Sequence, residues 1–546
     1  MLRITEIKLP IATSAEEGHT EAEIRAAAVK KLGINTSDLI SFTIFKRGTD
    51  ARKSHAILLV YSLDVVIHNE AKVLAKFSKD PHVKPSPDTE YKPVAQAPIP
   101  LNKRPIVIGF GPAGIFAALI LAQAGLKPIV LERGKAVKER TKDTWDLWRK
   151  SKLHPESNVQ FGEGGAGTFS DGKLWSQIKD PKHYGRKVLQ EFLAAGAPAE
   201  ILYISHPHIG TFRLVSMVEN MRNNIIALGG EIRFNSRVVD IDITDNKVQG
   251  VVLANGDHIA SEHVVLAVGH SARDTFEMVH QKGIFVEAKP FSIGFRIEHP
   301  QSLIDKARYG SSYSEDLIHK LGAAEYKLVH HASNGRSVYS FCMCPGGTVV
   351  AATSEEGRVA TNGMSQYSRN ERNANSGIVV GITPEVDFPA HPLAGIELQR
   401  QLESHAYVLG GSNYAAPVQL IGDFLANKPS QQLGEVAPSY TPGVHLTNLE
   451  SALPKFAIDA IREAVPAFAK QIKGYDMADG MLTGVETRTS SPIRITRDDD
   501  SLQSINTKGL YPCGEGAGYA GGILSAGVDG IKVAEAIILD SNSHNR

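Results

Sequence analysis

The chain has 546 residues, 42% of them apolar and 22% charged, and a formal net charge of +0. That length exceeds one ordinary core and predicts two or three domains, while the neutral balance supplies no global field that would favour nucleic acid or an anionic membrane as partner. Its three cysteines, Cys342, Cys344 and Cys513, are too few for a secreted disulfide scaffold; their odd number suits a reducing compartment, so a cytoplasmic protein is expected.

The first residues, MLRITEIKLP, carry charge where an export signal would place an apolar core. Residues 2–9 read as a strand. Thr20 followed by Glu23 reads as a capping box opening a helix that runs to Leu32 and ends at Gly33. Residues 40–45 and 55–66 read as two further strands, so residues 1–76 form a small α/β module in the order β-α-β-β, part of a ferredoxin-like plait. Residues 77–103 hold Pro81, Pro85, Pro87, Pro93, Pro98 and Pro100 and read as an extended linker. From Pro105 to Leu126 no residue is charged. Glycines and a proline early in that run fit strand, turn and helix rather than a membrane span.

Within that run Gly109, Gly111 and Gly114 form G-x-G-x-x-G, enclosing Pro112 and Ala113, directly after an apolar strand and directly before an apolar helix. The first glycine permits the tight turn, the second lets a pyrophosphate approach the backbone, and the third lets helix pack on strand. The helix N-terminus then offers free N–H groups and a favourable dipole to the phosphates. Glu132 stands 18 residues after Gly114, at the end of the next strand, where a carboxylate can accept from ribose hydroxyls, and Arg133 follows it. The letters recur at Gly162–Gly167 and Gly516–Gly521, but without the flanking elements, so those segments read as loops letting backbone approach a ligand.

Other segments favour FAD over NAD, because pieces of the same site return far along the chain. Residues 229–243 read as a strand pair with Val238 placed to present backbone to an adenine. Residues 264–274 read as an apolar strand ending in Gly269, where the chain leaves its nucleotide domain. Residues 509–537 place Gly514 and Glu515 at a strand end, with Gly521, Gly522 and Ile523 opening a helix. That helix N-terminus would face the pyrimidine edge of an isoalloxazine and stabilise negative charge on it.

Residues 158–174 (NVQFGEGGAGTFSDGKL), 206–214 (HPHIGTFRL), 288–300 (AKPFSIGFRIEHP), 342–347 (CMCPGG), 361–365 (TNGMS) and 486–497 (ETRTSSPIRITR) complete a pattern. The chain resembles the two-dinucleotide-binding-domain flavoproteins, and over nearly its whole length the bacterial family of uncharacterised FAD-dependent, or NAD(FAD)-utilising, dehydrogenases. The resemblance implies an α/β fold with a Rossmann-like, glutathione-reductase-type FAD domain over residues 104–290 and 480–546. It further implies an inserted substrate or cap domain over 291–479, behind the N-terminal module. Many such flavoproteins have Asp where Glu515 stands. In the family-like loop, Gly164 and Gly165 would give close backbone approach, Thr168 and Ser170 would bind phosphate or ribityl, and Lys173 would sit near the flavin.

Beyond the cofactor, His206 is a candidate general acid, although a hydrogen-bonded structural histidine is the simpler reading of both His206 and His208. Arg488, with Arg494 and Arg497, offers a fork for a substrate anion or for the FAD pyrophosphate. Cys342 and Cys344 read as structural: a disulfide between them would be strained and zinc would need two further ligands. No Cys-x-x-Cys occurs. The expected function is an FAD-dependent oxidoreductase acting on a small molecule with NAD(P)H as donor, binding no metal. A flavin-dependent RNA-modifying protein and a flavin-binding sensor without turnover remain open as alternatives.

Overall fold

The computed structural model describes residues 1–11, 18–53, 56–95, 103–310 and 314–543. In the strand Leu58–Ile67 nearly every second residue is buried, the alternation of a sheet with one face on a core. It pairs antiparallel with Leu2–Pro10 on one side and Leu39–Asp50 on the other, and Val83–Pro85 adds to the free edge of Leu2–Pro10. With the helices Glu21–Leu32 and Glu70–Lys76 this completes a β-α-β-β-α-β ferredoxin-like unit. The predicted capping box is present: the Thr20 N–H donates to Glu23 Oε2 at 2.7 Å, and the Glu23 N–H donates to Thr20 Oγ1 at 3.3 Å.

The fourth strand corrects the expected end of the module at residue 76. It lies inside the proline-rich stretch, where Pro85 is tolerated because this is an edge strand whose outer side needs no donor. Nor does the following segment hang free. Tyr91 packs on Tyr184 with ring centroids 6.1 Å apart, under the Lys187 ammonium. The rest of that linker, residues 96–102 with Pro98 and Pro100, lies outside the described residues, as does His55 of the expected 55–66 strand.

The nucleotide-binding domain is built on five parallel strands in the spatial order Leu510–Pro512, Val264–Leu266, Ile106–Ile108, Ile129–Leu131, Glu231–Arg233. The inner strands are short, apolar and buried on both faces, as parallel sheets require. Helix Pro112–Gln123 is buried at every position from Ala113 to Ala122, because helix Ile523–Ser543 packs along it. The uncharged run is therefore a strand, a turn and a core helix. Among the described residues no helix is long and apolar enough to cross a membrane. Beside this sheet stands the meander Val238–Thr244, Lys247–Leu253, His258–Ala260.

The second sheet has seven strands, ordered Val329–His331, Ser337–Cys344, Asn373–Ile382, Phe291–Pro300, Met481–Glu486, Ala416–Leu420, Val444–Leu446. Helix Lys455–Ala469 covers part of it. Met481–Glu486 pairs with Phe291–Pro300 and Ala416–Leu420, and all six of its residues are buried there. The chain thus returns to the nucleotide domain after Glu486 rather than at residue 480. The two domains share an apolar core in part: Leu147 and Trp148 of helix Val137–Lys150 pack into the cluster under the second sheet, and the Trp148 indole N–H donates to the Ala351 carbonyl at 2.9 Å.

Candidate functional site

A cleft of about 360 Å³ opens at the carboxyl ends of the parallel strands and is closed from above by residues of the seven-stranded sheet. This is the topological switch point where open α/β sheets take their ligands. Gly109, Gly111, Pro112 and Ala113 form one stretch of wall. Glu132, Arg133 and Val238 form a second, Gly269 borders a third, and Glu515, Gly521, Gly522 and Ile523 close it from the distant segment. Gly165, Ser170 and Lys173 come from the glycine-rich loop, and Arg488 from the return segment.

At two of the three fingerprint glycines the backbone leaves no room for a side chain. Gly109 has φ +95, and a Cβ there would meet the Ala267 carbonyl at 2.4 Å. A Cβ on Gly114 would lie 2.0 Å from the Gly109 carbonyl, so Gly114 serves the helix–strand contact beneath the wall and does not face the cleft. Gly111 and Gly165 face each other. A Cβ on Gly165 would stand 2.9 Å from the Gly111 Cα, whereas a Cβ on Gly111 keeps an ordinary 3.5 Å from Gly165. Helix Pro112–Gln123 starts here with proline in its first turn and no acidic residue, so its free N–H groups and positive end face the cleft.

Glu132 is 4% exposed, and its carboxylate is held by backbone. Oε2 accepts the Phe110 N–H at 2.8 Å; Oε1 accepts the Gly134 N–H at 2.8 Å and the Gly162 N–H at 3.0 Å. Two carboxylate oxygens accept about four hydrogen bonds, so one place on Oε2 is left for a ligand hydroxyl. Arg133 is engaged as well. It donates to Glu156 at 2.8 Å and to both oxygens of Asp274 at 2.9 and 3.0 Å, and lies 4.1 Å over the Phe161 ring.

The loop after the first unit is shaped by a residue that reads from sequence as a solvated helix charge. Arg140 is fully buried and donates to the carbonyls of Asn158, Val159 and Glu163 at 2.7–2.8 Å, binding the loop from below. Gly164 and Thr168, expected at the cofactor, stand behind this wall. The Gly164 N–H donates to the Phe110 carbonyl at 2.8 Å, and Thr168 is buried against Arg140. The Ser170 hydroxyl closes its own turn, donating to the Gly167 carbonyl at 2.7 Å and accepting from the Gly172 N–H at 3.0 Å.

The remaining wall gathers ionisable groups. The Lys173 ammonium donates to the Met343 carbonyl; burial pushes its pKa down, but the Cys342 and Cys344 thiols and the Asp171 carboxylate raise it overall, so it stays charged. Arg488 is already paired: it reaches both oxygens of Glu403 at 2.9 and 3.0 Å, Ser354 at 2.7 Å and Ser271 at 3.2 Å. Glu403 also takes Arg273 at 2.7 and 3.0 Å; against burial, the two guanidiniums hold its carboxyl far below the usual range. Arg488 therefore borders the cleft as part of a fixed network rather than as a free anion fork. Arg497 is likewise bound to Asp529, and Gly514 sits behind the wall with its N–H on that same Asp529 at 2.8 Å. Glu515 faces the cleft with its pKa raised to about 7 by burial, Lys289 pulling it down and Cys342 pushing it up.

His206 is not brought into the cleft. It stacks on Trp175 at 4.4 Å and pairs with Glu325 at 2.6 Å, with 52% of its side chain exposed; Trp175, not His206, reaches the wall. His208 is satisfied by the Tyr367 carbonyl at 2.9 Å. Among the described residues no group of three or more His, Cys, Asp or Glu could hold a metal. Wall residues that the sequence reading missed include Gln160, His270, Ser271, Trp175 and Cys342. Only Cys342 carried a signal, its place in the Cys-Met-Cys segment.

A flavin adenine dinucleotide fits this cleft. Bare main chain lines it at Gly111 and Gly165, Glu132 Oε2 keeps one free acceptor place, and Gly521 and Gly522 have nothing within 4 Å of an added Cβ, so open space lies before helix Ile523–Ser543. Residues 103–292 match the family described as pyridine nucleotide-disulphide oxidoreductase, and residues 290–489 match the FAD-dependent protein, C-terminal domain-like family. Residues 1–66 match a domain of unknown function. A protein of Clostridium beijerinckii, described as uncharacterized, is 50% identical over 510 residues, 93% of this chain and 94% of that one. Among solved structures, glycine oxidase from Bacillus cereus is 12% identical, covering 81% of this chain and 98% of that chain at a TM-score of 0.30. L-proline dehydrogenase from P. horikoshii is 13% identical, covering 80% and 94% at a TM-score of 0.33. The chain belongs to the family of FAD-dependent proteins that join a pyridine nucleotide-disulphide oxidoreductase domain to an FAD-dependent C-terminal domain.

Proposed function

We propose that the protein is an FAD-dependent dehydrogenase or reductase of a small molecule, with a reduced nicotinamide as donor. The observation that carries this reading is the split cleft: stretches of chain far apart in the sequence, from Gly109 to Ile523, meet around one cradle that no single stretch completes. Bound FAD supplies a reversible two-electron acceptor at N5. Gly109, Gly111 and Gly165 would admit its pyrophosphate, and the N-terminus of helix Pro112–Gln123 would offset the phosphate charge. Glu132 would orient the adenosine ribose, and Val238 would present main chain to the adenine. At the other end Lys173 and the start of helix Ile523–Ser543 would stabilise negative charge on the reduced ring. Arg488, fixed by Glu403, would position Ser271 and the ring edge rather than exchange a proton. Glu515, with a pKa near 7, can hold or release a proton at neutral pH, which suits a general acid or base.

The test is direct. Denaturing the purified protein should release FAD at about one per chain, and anaerobic addition of NADH or NADPH should bleach the flavin absorbance. A screen of small-molecule oxidants for reoxidation would then find the substrate class. Recovery of FMN, or of NAD without flavin, refutes the cofactor assignment; a bound flavin that neither nucleotide reduces refutes the donor.

A further inference from the structure

Strand Ser337–Cys344 is irregular at the point where it reaches the cleft. Its pairing with Asn373–Ile382 shifts register between Phe341 and Cys344, so the strand carries an extra residue, and Cys342 within the bulge has φ +44. A left-handed backbone at a residue with a side chain is costly and points to a functional constraint. In a regular strand, residues two apart stand about 6.6 Å apart, at the far limit for a disulfide. In the bulge the Cys344 thiol turns back on its neighbour and donates to the Cys342 carbonyl at 3.3 Å. Both thiols are free; Cys344 is buried, and Cys342 is half-buried and lines the cleft.

The surroundings are built to hold this turn. Arg296, fully buried, donates to the Cys342 carbonyl at 2.9 Å and pairs with Glu486 at 2.9 and 3.0 Å, while Lys173 grips the next carbonyl, that of Met343. The Cys344 thiol, then Lys173 and Arg296, hold the Cys342 thiol well below its usual range against burial and Asp171. Arg369 faces Cys344, and Glu486 and Glu515 feel the charge of Cys342 from their own elements. Cys344 is pushed up by its neighbour and by burial and stays a thiol. A thiolate beside a thiol, on the wall of a redox cofactor's cleft, is the arrangement of an attacking and a resolving cysteine.

We propose that Cys342 and Cys344 form a dithiol that exchanges an electron pair with the flavin, closing to a disulfide. In that step the Cys342 thiolate and the Cys344 thiol form one S–S bond. The Cys344 S–H bond breaks, and two electrons and that proton pass to oxidised FAD, giving the singly protonated anionic reduced form; the reverse step reopens the pair. The protein then stores four electrons per chain rather than two. The inference rests on the reading of the cleft as an FAD site.

Reductive titration of the purified flavoprotein with dithionite under anaerobic conditions should consume four electrons per flavin. Cys342→Ser and Cys344→Ser should each consume two. Peptide mass analysis of the oxidised wild type, alkylated after unfolding, should find the segment holding both cysteines two hydrogens lighter, with Cys513 alkylated. A wild type that takes two electrons and carries no such disulfide overturns the proposal, and this reading needs no variant to fold. If the chain proves to hold no flavin, the FAD reading fails separately. The thiol pair is then judged on diamide-treated protein, where failure to form the Cys342–Cys344 disulfide rejects it and its formation upholds the redox pair.

Discussion

Replacing Glu132 with alanine tests whether this carboxylate serves only the ligand. A strand-end carboxylate reserved for a ribose would support little of the fold, and its loss would leave the empty protein as stable as before. Its three backbone donors argue otherwise. Glu132→Ala strands the N–H groups of Phe110, Gly134 and Gly162, which come from the fingerprint turn, the strand end and the glycine-rich loop. An unsatisfied buried donor costs about 1–3 kcal/mol, and the open cleft lets water recover part of that, so about 1 kcal/mol each, or about 3 kcal/mol in all, is expected. For domains of this size that lowers the melting temperature of the flavin-free protein by roughly 6–12 °C. FAD binding should weaken by a further tenfold or more for the lost ribose bond, since a hydrogen bond to a charged acceptor is worth about 1.5–3 kcal/mol. The assay is thermal melting of stripped protein, with reconstitution by FAD and by FMN, whose affinity should fall less. A flavin-free variant that melts within about a degree of the wild type would refute the structural role.

Gly111→Val should lose flavin without losing stability. Its Cβ meets only Gly165, at 3.5 Å from the Cα and 4.0 Å from the N, so the protein should fold and melt normally, while the branched side chain fills the phosphate cradle and abolishes flavin binding; a normal flavin spectrum would refute the assignment. Glu515 predicts a pH effect of definite sign. Its pKa is raised from 4.5 to about 7, so folding favours the protonated form; that contribution is complete below pH 4.5, falls away as pH rises to about 7, and is flat above. In flavin-free protein the difference between wild type and Glu515→Gln should therefore change by about 3 kcal/mol across that window, and parallel melting profiles would refute it.

What could be read from the sequence was what local spacing dictates. The glycines at 109, 111 and 114, the capping box at Thr20 and the strand-ending Glu132 each answer a backbone requirement met within a few residues, and each stands where its pattern implies. Arg140 and Arg488 were opaque because their partners lie elsewhere. A helix charge gives no sign that it will be buried under the carbonyls of residues 158–163, and nothing near Arg488 announces Glu403, 85 positions earlier. His206 carried two readings, and the simpler one, a hydrogen-bonded structural histidine, agrees with its pairing to Glu325 and its stacking on Trp175, partners that tertiary geometry alone supplies. The domain return was misplaced because a buried strand such as Met481–Glu486 reads the same in either sheet.

The order in which the parallel sheet is completed has a consequence for synthesis. Strand Val264–Leu266 must wait for Leu510–Pro512, which emerges about 250 residues later; at roughly 5–20 residues per second that is about 12–50 s on the ribosome. Until then one side of Val264–Leu266 offers unpaired backbone, and helix Pro112–Gln123 lacks the helix that covers its apolar surface. Over that interval the nascent chain exposes apolar surface and an open sheet edge that the finished fold covers. Flavin capture should therefore wait for residues 513–526, which line the cleft and follow the fingerprint glycines by about 400 residues.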